Sequence, residues 1–278
     1  MKPDLSVIIP SYNTAALLGE CLESLPATVE VIVADNASRD GSQEMIRRRF
    51  SGTKLVELKE NRGYGAACNA GVKLATGKVL LFLNSDTRIE AGTLDAIIQG
   101  FDDPQVAAIA CHELTIAGGT VLSCRSHHTL RSGISFLSGY RLFRREGDRY
   151  RIVDWDRESD RWVDNVNGFA WAVRRDVFEK VGGFDENLFL YFEEQDYALR
   201  LQQMRFRIRY LSAARIRHHG AASSQVLGRW RLRRQWVRSF VYLRQKHGLS
   251  RSVWLDRLIL FPCLAAWWFG HKLTRRSE

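Results

Sequence analysis

Val79-Leu80-Leu81-Phe82-Leu83-Asn84-Ser85-Asp86 decides the fold. Five consecutive apolar residues predict a strand covered on both faces, as in parallel sheets. The polar triplet behind it marks where the strand stops. Outward from there the same grammar recurs. Upstream, Leu5-Ser6-Val7-Ile8-Ile9 is a short apolar run ended by Pro10, Val29 to Ala34 ends at Asp35, and Lys54 to Leu58 alternates. Helical patterns lie between: Leu17, Leu18, Cys21, Leu22 and Leu25 share one side, a second helix passes through Met45 and Ile46, and Ala66 to Ala75 is rich in small residues. Downstream, a helix from Leu94 to Phe101 precedes a strand from Val106 to Ala110. Strands separated by helices of this length imply parallel βαβ units with right-handed crossovers, an α/β fold.

In such open sheets ligands bind beyond the carboxyl ends of the strands. Here those ends are polar: Ser11-Tyr12-Asn13, Asp35-Asn36, Asn61-Arg62-Gly63-Tyr64-Gly65 and Asn84-Ser85-Asp86. Together they predict a nucleotide pocket. Gly63 and Gly65 do not make a dinucleotide fingerprint, because Cys68 stands where a third Gly is required and the motif follows the third strand. The pair either lets backbone approach a mononucleotide's phosphate or sugar or is simply a turn. Asp86, beside such a diphosphate, can hold a divalent cation through oxygen, with Asn84 assisting directly or through water. Alternatively it caps a helix or forms a turn.

The second half is less regular. Residues 112–165 hold a Gly118-Gly119 turn, a Ser/His/Arg stretch from Ser123 to Ser132 and a charged stretch from Arg144 to Arg161. They read as irregular structure, a candidate loop over a site. A strand from Asn167 to Val173, a short helix from Arg175 to Val181 and a Gly182-Gly183-Phe184-Asp185 turn follow. A helix from Phe192 to Gln203 opens on Glu193, Glu194 and Asp196. Those carboxylates favour the helix dipole, and their crowding can raise one pKa to that of a general base. His218-His219 offers an imidazole to a metal or is polar loop.

Composition narrows the classes. At 278 residues, with 45% hydrophobic and 26% charged, the chain is globular and neither disordered nor collagen-like. Five Cys without CxxC spacing predict reduced thiols in a cytosolic setting, and the short run before Pro10 predicts no secretory leader. Charge is uneven. From Tyr197 to Leu255 there are 14 Arg and Lys and no Asp or Glu, so the rest of the chain carries a net charge of −4. That segment calls for phosphates or anionic headgroups, or is a solvated basic face.

Taken together, the pieces resemble a family 2 glycosyltransferase with the GT-A fold. The matching stretches are Ser6-Val7-Ile8-Ile9-Pro10-Ser11-Tyr12-Asn13, residues 33–42, Asn61-Arg62-Gly63-Tyr64-Gly65 through Gly71, Leu83-Asn84-Ser85-Asp86, Gly182-Gly183-Phe184-Asp185-Glu186, and Tyr191-Phe192-Glu193-Glu194-Gln195-Asp196. They keep the family's order over about residues 5–225. Within the family the chain most resembles bacterial rhamnosyltransferases of cell-envelope glycan assembly.

The resemblance implies a domain over residues 1–225, with a nucleotide-sugar half (1–111) and an acceptor half (112–225), followed by a basic, aromatic helical extension (226–278). It implies donor contacts from Pro10, Tyr12, Asn13, Asp35, Arg62, Gly65, Asn69, Asn84 and Asp86. It implies Mg²⁺ or Mn²⁺ on Asp86, weakened because Asn84 replaces the first Asp of the DxD motif, with His218 (rival His219) completing the site. The catalytic carboxylates would be Glu194 (rival Glu193) and Asp196. The expected reaction is inverting transfer from a nucleoside-diphosphate sugar, dTDP-rhamnose among the candidates, to a glycan or polyprenyl-diphosphate-linked acceptor. A sugar nucleotidyltransferase would instead place a Gly-rich basic loop after the first strand, and a non-catalytic RNA-binding protein would show a recognition motif, which is not legible. Finally, Arg231, Arg234 and Arg238 recur at helical spacing, and Leu232, Trp236, Phe240 and Leu243 follow another side. Together with Trp254, Trp267 and Trp268 they predict docking on an anionic membrane at its cytoplasmic face, without crossing it. The alternative is a pair of helices packed on the domain.

Overall fold

The computed structural model describes residues 4–138, 142–166, 168, 170–220, 228–250, 252 and 254–263. Strands β1 (Leu5–Ser11), β2 (Glu30–Asp35), β3 (Lys54–Glu57) and β4 (Val79–Leu83) are parallel neighbours in the order β3-β2-β1-β4. Pro10 does not end β1. Ser11 turns its carbonyl to β2, accepting from the Asn36 N–H at 2.8 Å. Pro10 therefore faces the β4 side, where pairing has already stopped at Ile8, and its missing N–H costs no ladder bond.

Period-two alternation divides the apolar residues between the two faces. Val7, Ile9, Val31, Val33, Leu81 and Leu83 pack under helices α1 (Ala15–Glu23), α2 (Ser42–Arg49) and α4 (Thr93–Gly100). Ile8, Ile32, Leu80 and Phe82 pack under α3 (Tyr64–Val72), α7 (Arg175–Val181) and α8 (Glu193–Gln203). The sheet extends beyond β4 through β10 (Ala170–Arg174), β6 (Val106–Thr115), β11 (Arg207–His218) and β5 (Thr87–Ile89). β10 is antiparallel to both β4 and β6, so a strand from the second half of the chain is inserted between two from the first.

The stretch 112–165 is more structured than expected. β6 runs on to Thr115, then come β7 (Cys124–Arg125), α5 (Leu130–Leu137), α6 (Arg144–Arg151) and β8 (Arg161–Val163), with β9 (Asn165–Val166) just beyond. β8 joins β11, and β7 pairs with β9. The Arg157 side chain is buried there and donates to the Ile152 and Arg151 carbonyls at 2.6 and 2.8 Å. β11 is a strand that the sequence pattern did not lead us to expect.

Helix α9 (Arg229–Lys246) corrects another expectation. Its Trp236, Phe240 and Leu243 are not turned to a membrane; they are buried with Leu137, Leu188 and Phe192 in a third cluster. Arg231, Arg234 and Arg238 stay exposed on the other side. Residues 254–263 are helical and contribute Leu260 to the same cluster. Trp267 and Trp268 lie outside the described residues. Among the described residues no helix is long and apolar enough to cross a membrane.

Candidate active site

The carboxyl ends of β1, β2 and β4 converge as the sequence predicts. Asp35 is buried at the end of β2; its Oδ1 accepts from the Ser38 N–H (2.9 Å) and the Gln43 amide (2.7 Å). Its Oδ2 is buried without a partner among the described residues. A buried carboxylate oxygen in that state keeps its acceptor capacity free. Asn13 accepts from the Arg39 N–H at 2.8 Å, and Asn36 ties the turn after β3 by accepting from the Arg62 N–H and donating to the Gly63 carbonyl. Asp40 takes the Ala15 and Ser42 N–H groups at the starts of α1 and α2. Burial pushes its pKa up, but these bonds and the Ser42 hydroxyl outweigh it and hold the carboxyl below its usual range. A hydroxyl chain, Ser11 to Thr14 (3.1 Å) to Ser85 (2.9 Å), links β1 to the turn holding Asp86.

Asp86 is buried beside His218, whose Nε2 lies 3.1 Å from its Oδ1. The register explains the meeting: His218 pairs with Thr87 across β11 and β5, and with Thr115 across β11 and β6. The other ring nitrogen lies 3.0 Å from Glu113 on β6, also buried. Burial alone would lower the His218 pKa, but the two carboxylates outweigh it and hold it up at about 9. Burial raises that of Glu113, against the pull of His218. Among the described residues no cluster of three or more His, Cys, Asp and Glu is arranged to hold a metal. Asp86 offers an oxygen donor, and His218, its pKa held up at about 9, must release a proton before its nitrogen can join that oxygen on a metal. A donor set of that size suits an ion completed by substrate phosphates better than an all-protein cage.

The acidic pair stands at the first turn of α8. It is launched by Tyr191 and Phe192, both left-handed at φ 71° and 73°, a conformation that costs non-Gly residues about 1–2 kcal/mol each. Phe192 is fixed there by stacking on Phe240 of α9 at 5.3 Å and by Trp236 at 5.1 Å. Glu193 is buried, and burial plus the neighbouring Glu194 hold its pKa well above the usual carboxylate range. Glu194 is half-buried against the backbone of Gly168, where a Cβ would stand only 1.6 Å from its Oε1. Burial raises its pKa to about 7, against backbone hydrogen bonding and the charge of Arg125. Arg125 also lowers the pKa of Glu113, so one guanidinium acts on both the Asp86 side and the Glu194 side. The Tyr64 hydroxyl donates to the Gly168 carbonyl at 2.8 Å, bracing the same wall.

A mixed sheet thus brings a buried acid with one oxygen unpartnered among the described residues, a histidine–carboxylate pair and an acidic pair together along its carboxyl edge. Residues 6–182 fit Glycosyl transferase family 2. The chain belongs to that family. Among curated relatives, this glycosyltransferase is 29% identical to the O-antigen biosynthesis protein RfbC of Myxococcus xanthus, over 80% of this chain but only 18% of that protein. It is 27% identical to the N-acetylglucosaminyl-diphospho-decaprenol L-rhamnosyltransferase of Mycobacterium tuberculosis, over 89% of this chain and 86% of the relative. Two solved structures share its fold. The mannosyltransferase PcManGT of Pyrobaculum calidifontis, in complex with GDP-Man and Mn²⁺, aligns with a TM-score of 0.61 at 21% identity, over 96% of this chain and 70% of that one. TarS 1-349 of S. aureus in complex with UDP aligns at 0.56 and 20% identity, over 95% and 71%. The fold is GT-A.

Within this glycosyltransferase the predicted site residues separate into two groups. Pro10, Tyr12, Asn13, Asp35, Asn84, Asp86, His218, Glu193 and Glu194 lie on or next to the carboxyl edge. Of the two histidines, His218 meets Asp86, while the His219 ring pairs with Glu20 at 3.2 Å. Other residues are spent on holding the segment 184–189. Arg62 pairs with Glu186 at 2.6 Å, and Asn69 bonds the Phe184 backbone at both its N–H and its carbonyl. Gly63, at φ 89°, admits the Phe189 carbonyl, which a Cβ would approach to 2.1 Å; Gly65 packs on Phe184. The close approach is therefore to protein backbone. Asp196 turns away to Arg200 (2.8 Å), Lys246 (2.7 Å) and His247 (2.8 Å). Glu113 and Arg125 were missed, since a single Glu in an apolar strand and an Arg in an irregular stretch carry no spacing signal.

Proposed function

We propose that the chain transfers a sugar, with inversion, from a nucleoside-diphosphate donor to a hydroxyl of a lipid-linked glycan during cell-envelope polysaccharide synthesis. The observation that carries this reading is Glu194: a carboxylate with its pKa raised to about 7, held against Gly168 at the sheet's carboxyl edge. A base poised there accepts the acceptor's proton as the oxygen attacks the anomeric carbon. Asp35 receives the nucleobase through its unpartnered oxygen, and the turns after β1 and β4 flank the diphosphate. Asp86 and His218 would hold Mg²⁺ or Mn²⁺, with Asn84 adjacent. The ion would neutralise charge on the departing diphosphate. Glu113 holds the His218 ring in place. Asp196 serves as a positioning residue, tying α8 to α9.

The name of the mycobacterial relative favours rhamnose as the sugar, dTDP-rhamnose as the first donor to test, and a polyprenyl-diphosphate-linked acceptor. On this reading the chain works at the cytoplasmic face of the membrane as a peripheral protein. Incubation with dTDP-rhamnose and N-acetylglucosaminyl-diphospho-polyprenol should give a rhamnosylated lipid and dTDP in equal amounts. Release of pyrophosphate, or no turnover with any sugar nucleotide despite tight nucleoside-diphosphate binding, would overturn the reading.

A further inference from the structure

The helical segment 254–263 carries its apolar side outward. At about 100° per residue, Asp256, Leu260 and Cys263 fall on one side, and Asp256 and Leu260 are 3% and 0% exposed. The Arg244 Nε donates to the Asp256 carboxylate at 2.8 Å, an ion pair buried between the segment and α9. The other side is open: Trp254 is 73% exposed, Leu258 69%, Leu255 54%, Ile259 38% and Phe261 37%. Five large apolar side chains are thus exposed within eight residues. Rotating the segment to hide them would bring Asp256 and Leu260 into water and strand Arg244. The buried ion pair fixes the outward presentation.

A contiguous exposed apolar patch of this kind marks an interaction site. Its surroundings say with what. Arg257 lies beside Trp254, 5.7 Å from the ring centroid, and Arg231, Arg234 and Arg238 are exposed on the adjoining α9. No Asp or Glu occurs between Asp196 and Asp256. A second copy of the chain would oppose these cations to their own likeness, whereas anionic headgroups would neutralise them.

We propose that this outward face lies in the headgroup–acyl boundary of an anionic membrane. Trp254, Leu255, Leu258, Ile259 and Phe261 insert, and the arginines pair with lipid phosphates. The apolar side of α9, expected to do this on sequence grounds, is instead the anchor that holds the inserting segment to the enzyme. The inference deepens the lipid-linked-acceptor reading, but its test needs no acceptor.

Full-length protein should co-sediment with phosphatidylglycerol–phosphatidylcholine vesicles free of polyprenyl lipid at low ionic strength, and high salt should weaken the binding. The double variant Trp254→Ser/Leu258→Ser should bind at least about tenfold more weakly. Its melting temperature and nucleoside-diphosphate affinity should be unchanged, since both side chains are exposed. A wild-type protein that ignores such vesicles, or a double variant that binds them equally, overturns the proposal. A wild-type dimer that the double variant dissociates overturns it as well, because the occupant is then a second copy. Vesicle binding without transfer to any lipid-linked acceptor leaves the surface standing and removes the functional reading alone.

Discussion

Glu194, the base we propose, is where a single residue would trade stability for chemistry. Burial raises its pKa from the ordinary 4.5 to about 7 in the folded state. Between those values the native state binds more protons than the unfolded chain, so stability falls as pH rises through that window. The base works only when deprotonated, so turnover should rise with pH across the same range and level off above it. Glu194→Gln should then abolish transfer while leaving donor affinity intact. It should also raise the melting temperature at pH 8 but hardly at pH 5, where the wild-type carboxyl is already neutral. At pH 8 the gain should be about 1–3 kcal/mol. Residual turnover above about a tenth would move the role to Glu193. Gly168→Ala tests the same atom from the other side, because the new methyl would occupy the space of Oε1. Displacing the base by about 1 Å should lower turnover about 10²-fold with little change in donor binding. Asp86→Ala should weaken nucleoside-diphosphate affinity only when Mn²⁺ or Mg²⁺ is present. Calorimetric titration with and without metal would show otherwise if both affinities fell together.

At the scale of elements, α8 carries the proposed base and α9 holds α8. Phe192, in its strained left-handed conformation, is stacked on Phe240, and Asp196 is clasped by Lys246 and His247. Lys246 also reaches Asp185, where the Tyr242 hydroxyl donates at 2.9 Å. Phe240→Ala should cost about 3–5 kcal/mol. If α9 positions the base, turnover should also fall at temperatures well below melting, with donor affinity preserved; an effect on stability alone would reduce α9 to packing. The legibility of the elements followed their pattern. β1, β2 and β4 were plain because apolar runs ending in polar residues are what buried parallel strands require. β11 was hidden behind its arginines, although Arg207-Ile208-Arg209-Tyr210 and Arg215-Ile216-Arg217 alternate with Ile208, Tyr210 and Ile216 buried. The arginines make the stretch read as basic and mask its period of two. α6, Arg-Arg-Glu-Gly-Asp-Arg-Tyr-Arg, has no apolar stripe to read at all. α5 is announced only by Thr129 and Ser132 capping each other, where Ser stands in place of the usual Glu or Gln.

At the scale of the whole molecule, residues 1–111 and 112–225 share one sheet. The donor strands and their turns were legible locally. What joins them to Glu194 and His218 was not, because it depends on pairings between residues far apart in sequence. β10 lies between β4 and β6, with Trp171 opposite Phe82 on one side and Ala110 on the other. Without it, residues 1–111 would present two unpaired strand edges and leave Phe82, Cys68 and Ile8 without Trp171, Phe178 and Phe184. The site is divided in the same way, with Asp86 from the first half and His218 and Glu194 from the second. Binding energy at the nucleotide should therefore reach the entire fold. Calorimetry should give one unfolding transition, with calorimetric and van't Hoff enthalpies in agreement. Nucleoside diphosphate with Mn²⁺ at about 100 times its Kd should add ~2.7 kcal/mol and move that single transition upward by several degrees. Residues 1–111 expressed alone should show neither a cooperative transition nor nucleotide binding. Two resolved transitions, with only the first moved by ligand, would mean that the halves fold separately and that the inserted strand is an ornament of the sheet, not its joint.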